Sequence, residues 1–157
     1  MSKRFFLGLC AAALIATPAL SMEAVQKVER EIVTTAPDGT QTVTYQAAER
    51  VRPGETVVYT LDYVNTQADP ASDLKLDMVV PEQVRLAEGS ADVPGARVQY
   101  SADGGQSYAD RLGLTVRNDD GTTRAATTDD ITHVRWTLLS PVQPGERGAV
   151  SFRAQLR

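Results

Sequence analysis

Apolar and polar residues alternate one by one along most of the chain after residue 22, and helical periodicity is nearly absent. Alternation with a period of two is typical of strands that bury one face and leave the other in water. The clearest example runs from Thr56 to Asn65, directly after a Pro53-Gly54 turn. The face that this pattern predicts to be buried consists of Val57, Tyr59, Leu61 and Tyr63.

Eight further segments carry strand-like patterns, at residues 28–35, 40–45, 74–80, 84–86, 97–101, 112–116, 132–139 and 149–157. Turns rich in glycine, proline, aspartate and asparagine separate them, a pattern typical of a β-sandwich or barrel. No crossover helix is visible, which excludes a parallel α/β sheet. We predict an all-β fold of eight or nine strands in total, arranged as two antiparallel sheets that enclose Trp136. Other inward residues are Leu74, Leu76, Met78, Val80, Val134, Leu138, Val150, Phe152, Ala154 and Leu156.

The first 21 residues have the layout of a secretory signal peptide. Lys3 and Arg4 precede an apolar run from Phe5 to Ala16, which is shorter than the roughly 20 residues that a membrane-spanning helix needs. A Thr-Pro break and small residues follow, up to Ser21. We expect a signal-peptide helix with cleavage after Ser21; an uncleaved N-terminal anchor is the alternative. No later stretch is apolar enough to span a membrane, so none is expected in the mature chain.

The amino-acid composition argues against several classes of function. The net charge of the 157-residue chain is −4, and loss of Lys3 and Arg4 would make the remainder more acidic. An acidic chain without a basic cluster is poorly suited to nucleic acid. The only cysteine is Cys10, within the predicted signal, so the mature chain has no disulfide and no thiolate nucleophile. A small exported domain without disulfides depends on core packing and sheet hydrogen bonds.

A motif from Ser101 to Tyr108 resembles the Asp-box turn of many secreted proteins. Asp103 is placed to accept backbone amides across the turn, and Gly104 and Gly105 allow positive φ angles. Tyr108 is expected to pack beneath the turn. This motif builds a turn and performs no chemistry, so we predict a structural role; a sugar-contacting loop is the alternative.

No catalytic, cofactor-binding or metal-binding residue is assigned, and no cofactor is expected. The acidic turns at residues 118–121 and 127–130 lack the alternating acid spacing of a calcium loop, so solvated turns are predicted there. His133 is the only histidine, and its position in the strand places it on the face opposite to Trp136, which is expected to be solvent-exposed. The chain also lacks the Gly-x-Ser-x-Gly motif that carries the nucleophile of many serine hydrolases. We therefore expect a protein that is not an enzyme. Paired carboxylates for glycoside hydrolysis stay open at this point, because the distance between two carboxyl groups is set by the fold.

Several landmarks resemble a known family. Residues 51–66 read Val-Arg-Pro-Gly-Glu-Thr-Val-Val-Tyr-Thr-Leu-Asp-Tyr-Val-Asn-Thr, and later landmarks are residues 69–74, 79–82, 89–91, 98–105, 131–136 and 144–154. In this order they are similar to the bacterial conserved repeat domain, the extracytoplasmic domain of unknown function number eleven. The resemblance covers about residues 50–157 and implies an immunoglobulin-like sandwich in exported or surface proteins, without known catalytic residues. The antibody-type cysteine pair is missing, which excludes only a true antibody domain. Unlike many members, this chain has one copy and no sorting signal.

We therefore divide the chain into a signal peptide (1–21), an N-terminal strand or hairpin extension (22–48) and an immunoglobulin-like β-sandwich (49–157). The extension is either an extra strand pair of the domain or a segment offered to a partner. The expected function is that of a non-catalytic structural or protein-interaction module with a protein partner in the cell envelope, periplasmic or extracellular. A carbohydrate- or calcium-binding module using the loops around Asp103 and Asp119 is the alternative, and a hydrolase is a third possibility.

Overall fold

A computed structural model describes residues 22–157. The predicted signal peptide, its helix and its cleavage after Ser21 lie outside the described residues. The described part holds ten strands and one short 3-10 helix at Arg111–Gly113. The strands are β1 (Met22–Thr35), β2 (Gln41–Ala47), β3 (Thr56–Asn65), β4 (Lys75–Val79), β5 (Val84–Leu86), β6 (Ala96–Ser101), β7 (Thr115–Arg117), β8 (Thr123–Ala125), β9 (His133–Leu138) and β10 (Arg147–Leu156).

The strands form a five-stranded sheet in the order β2-β1-β3-β10-β5 and a three-stranded sheet in the order β4-β9-β6. A separate hairpin joins β7 to β8, and the pairs in all three sheets are antiparallel. The predicted all-β antiparallel sandwich is thereby confirmed. No helix within residues 22–157 has the length and apolar character needed to cross a membrane.

Three stacked aromatic rings join the two sheets. The Phe152 ring lies between Tyr59, at a centroid distance of 4.9 Å, and Trp136, at 6.5 Å. Trp136 is fully buried, and its indole Nε1 donates a hydrogen bond of 2.8 Å to the carbonyl oxygen of Ala91. The predicted inward positions of β3, β4, β9 and β10 are buried or half-buried. The period of two therefore identified the core faces correctly.

Asn65 is the polar residue that ties together the loops at the end of β3. It is fully buried, and its Nδ2 donates to the carbonyl oxygens of Asp69 and Val142, both at 2.9 Å. Its Oδ1 accepts the amide of Gln67 at 3.0 Å. Because a buried amide is costly unless its donors and acceptors are paired, this network stabilises one arrangement of the loops.

Two strands begin three or more residues from the predicted start, and one strand was not predicted. Leu112 was assigned to a strand at 112–116, but it lies in the 3-10 helix with its side chain 99% exposed, and β7 begins at Thr115. β8 was not predicted, because its three residues are all exposed and carry no apolar alternation. β1 begins at Met22 rather than Val28, because the backbone pairing with β3, not a side-chain pattern, defines its first half.

The N-terminal hairpin is continuous with the main sheet. Residues 22–30 of β1 pair with all of β3 except Thr56, from Met22 opposite Asn65 to Arg30 opposite Val57. This pairing makes β1 a structural strand of the five-stranded sheet. Of the two interpretations of residues 22–48, the extra strand of the domain therefore applies to the first half of β1.

Removal of residues 22–48 is expected to lower the Tm of the domain by more than about 5 °C, because β3 would lose its neighbour along one edge. Thermal unfolding followed by far-ultraviolet circular dichroism measures this. A substitution of exposed Leu139 by Ala serves as the control and should leave the Tm unchanged. An unaltered transition in the truncated protein would show that β1 is not part of the cooperative unit.

Candidate functional site

The second half of the N-terminal hairpin extends past the body of the sandwich. Pairing of β1 with β3 ends at Arg30, whereas pairing of β1 with β2 continues to Thr35 opposite Gln41. We call residues 31–45 the projecting hairpin. Its tip is closed by a hydrogen bond from the Gly39 amide to the Ala36 carbonyl, with Gly39 at a φ of 85°. A left-handed residue at this place suits glycine and confirms the predicted turn.

One face of the projecting hairpin is apolar and exposed. Val33 lies directly opposite Val43, and Tyr45 follows one pair further along on the same face. These three side chains are 50%, 45% and 47% exposed, respectively. Clustered apolar side chains in water, unlike single ones, are a feature of interaction surfaces.

An arginine from β10 anchors the base of this hairpin. Arg153 Nε donates to Glu31 Oε2 at 2.7 Å, and its Nη2 donates to the Tyr45 hydroxyl at 3.4 Å. The hydrogen bond that Arg153 donates to Glu31 raises the pKa of Arg153. Glu31 and Tyr45 are themselves cross-strand neighbours in β1 and β2. A single side chain thus holds both strands of the hairpin in line with the sheet.

Within residues 22–157, no strand pairs with the outer edge of β2. The Ala36 amide bonds to the Thr40 carbonyl, and the Ala48 amide bonds to the Val28 carbonyl. In an antiparallel ladder hydrogen-bonded pairs alternate with non-bonded ones, so the even-numbered residues of β2 bond to β1. The amides and carbonyls of its odd-numbered residues, Val43 and Tyr45 among them, therefore point away from the sheet, where β2 is the last strand.

β2 also lacks the devices that protect the other edges of the described sheets. Proteins block edge-to-edge pairing with charged side chains, prolines or very short strands. β5 has three residues including an arginine, β4 contains Lys75 and Asp77, and β6 contains Arg97. The seven residues of β2, all exposed, contain no charge and no proline. β2 is thus an edge open to strand addition.

The predicted Asp-box turn is present. Asp103 Oδ1 accepts the amides of Gln106 and Ser107 at 3.0 and 2.9 Å, and Oδ2 accepts the Ser107 hydroxyl. Hydrogen bonds from Ser107 hold the pKa of the Asp103 carboxyl well below its usual range. Gly104 and Gly105 have φ angles of 75° and 85°. The carboxylate is engaged within its own turn, which is the structural role that the sequence predicted.

Asp103→Asn is expected to weaken the acid sensitivity of the domain. The lowered pKa of Asp103 contributes stability that is present above about pH 4 and is lost as the pH falls below that value. The wild-type Tm should therefore drop between pH 7 and pH 3 by more than the Tm of the variant. Asp119→Asn is the matched exposed control and should follow the wild type; an equal drop in all three proteins would contradict this.

Tyr108 packs on the outer face of the three-stranded sheet rather than beneath the turn alone. The guanidinium carbon of Arg135 lies 3.6 Å from the centroid of the Tyr108 ring, and Arg135 Nε is 2.8 Å from Asp77 Oδ1. His133 lies on the same face, opposite in phase to buried Trp136 as predicted, and is half-buried. Its Nδ1 is 3.1 Å from the Thr132 hydroxyl.

The acidic turns have the hydrogen bonds of ordinary turns. In the first, Asp120 Oδ1 accepts both the amide and the hydroxyl of Thr122. In the second, Asp130 accepts from Arg124 at 2.7 Å and from the Thr127 amide, and Arg124 is the main cause of its lowered pKa. Within residues 22–157, no three histidine, aspartate or glutamate side chains are grouped so that they could hold a metal ion.

Sequence reasoning assigned no site residues, and the β2 edge was the feature that it did not single out. A signal was present in the sequence, because Gln41 to Ala47 is a run without charge. Whether that run lies at an edge, however, depends on the sheet order. The chain matches no protein-family model, and it has no significant match among curated proteins or solved structures.

Proposed function

We propose that this protein is an exported, non-catalytic interaction module of the bacterial cell envelope, which binds a partner strand at the edge of β2. The observation that carries the proposal is the long, uncharged and unpaired edge of β2 beside the apolar face of Val33, Val43 and Tyr45. Main-chain hydrogen bonds at such an edge supply affinity, and the neighbouring side chains supply specificity.

Two features of the sequence support the proposal. The layout of residues 1–21 is that of a secretory signal, which would deliver the chain to the periplasm or beyond. The resemblance of residues 50–157 to the conserved repeat domain points to the same compartment and implies no catalytic residue. The ligand-binding alternative has less support, because the carboxylates of Asp103 and of Asp120, beside Asp119, bond within their own turns.

A photo-crosslinking amino acid at position 33 tests the proposal in cells that produce the protein. We expect covalent adducts from position 33 and none from position 112, which carries an apolar residue that is 99% exposed but lies far along the chain from the hairpin. Val43→Pro in the same chain should abolish the adducts, because it removes an outward amide without breaking the β1–β2 ladder.

Two outcomes would contradict the interaction function. The first is that position 33 forms no adduct, either with another protein or with a second copy of the chain. The other is an adduct pattern that is the same for positions 33 and 112, or that persists in the Val43→Pro chain, since either would indicate contacts unrelated to the edge of β2.

A further inference from the structure

We propose that the strand which pairs with β2 is the β2 strand of a second copy of this chain, so that the two five-stranded sheets join into one. This inference rests on the proposed function and adds the identity of the partner. It depends on the self-complementarity of the Gln41–Ala47 edge when two copies are placed antiparallel.

The orientation of the backbone groups restricts the register. The outward amides and carbonyls of β2 belong to its odd-numbered residues, so these must lie opposite odd-numbered residues of the second copy. A two-fold axis at Thr44 meets this condition and uses all seven residues. It sets Val43 opposite Tyr45 of the second copy, and Thr44 opposite Thr44 of the second copy.

The side chains in this register are complementary. Valine opposite tyrosine and threonine opposite threonine are favourable cross-strand pairs. On the apolar face, Val33 and Val43 of each copy would line up with Tyr45 of the other, so the two apolar faces form one continuous stripe across the axis. The strand itself contains no charge, so no like charges face each other within it.

The projection of the hairpin keeps the two acidic bodies apart. Thr44 pairs with Ile32, which lies beyond the last β1 residue paired to β3. The axis therefore passes outside the sandwich, which matters because each chain has a net charge of −4. Two paired strands bury less than the roughly 1,200 Å² of a stable interface, so we expect weak and concentration-dependent self-association.

An engineered cysteine tests the register in the full chain. With Cys10→Ser as background, Thr44→Cys leaves one thiol, which would face its equivalent in a non-hydrogen-bonded pair. The Cα atoms of such a pair are about 4.5 Å apart, within the range of a disulfide. We expect mild oxidation to give a disulfide-linked dimer with Thr44→Cys but not with Thr42→Cys, and a mixture of Thr42→Cys and Gln46→Cys chains to form a crosslinked pair.

Sedimentation of the uncrosslinked chain supplies the second measurement. The mass should approach that of a dimer as concentration rises, and Val43→Pro should weaken dimerisation at least tenfold at an unchanged Tm. Monomers at every concentration, or equal crosslinking of Thr42→Cys and Thr44→Cys, would overturn the self-pairing. If self-pairing is overturned in this way but position 33 still forms adducts with another protein, the interaction function stands. If position 33 forms adducts neither with another protein nor with a second copy, both proposals fail.

Discussion

Phe152→Ala is expected to lower the free energy of unfolding by about 3–5 kcal/mol. Phe152 is fully buried and lies between the rings of Tyr59 and Trp136, so it joins the two sheets. Its loss removes apolar burial and leaves a cavity that the rigid strands around it cannot close. Chemical denaturation followed by Trp136 fluorescence measures the change.

A matched truncation on the surface separates burial from general effects of substitution. Leu112→Ala removes a large apolar side chain that is 99% exposed and should change stability by less than about 0.5 kcal/mol. Cys10 is the only cysteine, so the chain has no internal disulfide and its stability depends directly on this core. Similar values for Phe152→Ala and Leu112→Ala would show that the aromatic stack does not hold the sheets together.

Asn65→Asp is expected to lower the free energy of unfolding by about 2–5 kcal/mol. The substitution keeps the shape of the side chain but replaces the Nδ2 donor, which serves the carbonyls of Asp69 and Val142, with an acceptor. Three acceptors would then share a site that excludes water. The measurement is urea unfolding at pH 7.

The effect of Asn65→Asp should also shrink as the pH falls from 7 towards about 4, because burial among acceptors raises the pKa of the new carboxyl in the folded state and the protonated form regains one donor. Asn118→Asp is the control: the Asn118 side-chain amide bonds to the Thr122 hydroxyl in an exposed turn, where water can replace the lost donor. If the two aspartate variants were equally stable at pH 7, the buried network around Asn65 would not contribute to stability.

Part of the candidate site was readable from the sequence. The Ala36–Gly39 turn and the two strands beside it were predicted from local residue types, and the structure has them at the expected place. The role of Asp103 was equally local, since all its hydrogen bonds fall within residues 101–107. Local hydrogen bonds follow from spacing alone, so the sequence was sufficient for them.

The anchor at the base of the hairpin could not be predicted in the same way. Arg153 and Glu31 are 122 positions apart, and nothing in their immediate sequences connects them. The same holds for Asn65 and Val142, which meet only because β3 and the loop before β10 adjoin. Long-range polar contacts depend on strand order, and alternation of side chains does not encode strand order.

The sequence by itself determined which side chains of each strand face the core, because the pleat of the backbone fixes a period of two whatever the neighbouring strand is. It also determined the turns, where glycine and aspartate have specific backbone roles. Only the tertiary structure decided that, among the strands of residues 22–157, β2 lies at the end of the sheet and its outward amides have no strand beside them. Whether a strand lies at an edge is a property of the whole arrangement of strands. A strand with the composition of β2 could equally lie in the middle of a sheet, with its outward amides bonded to a further strand.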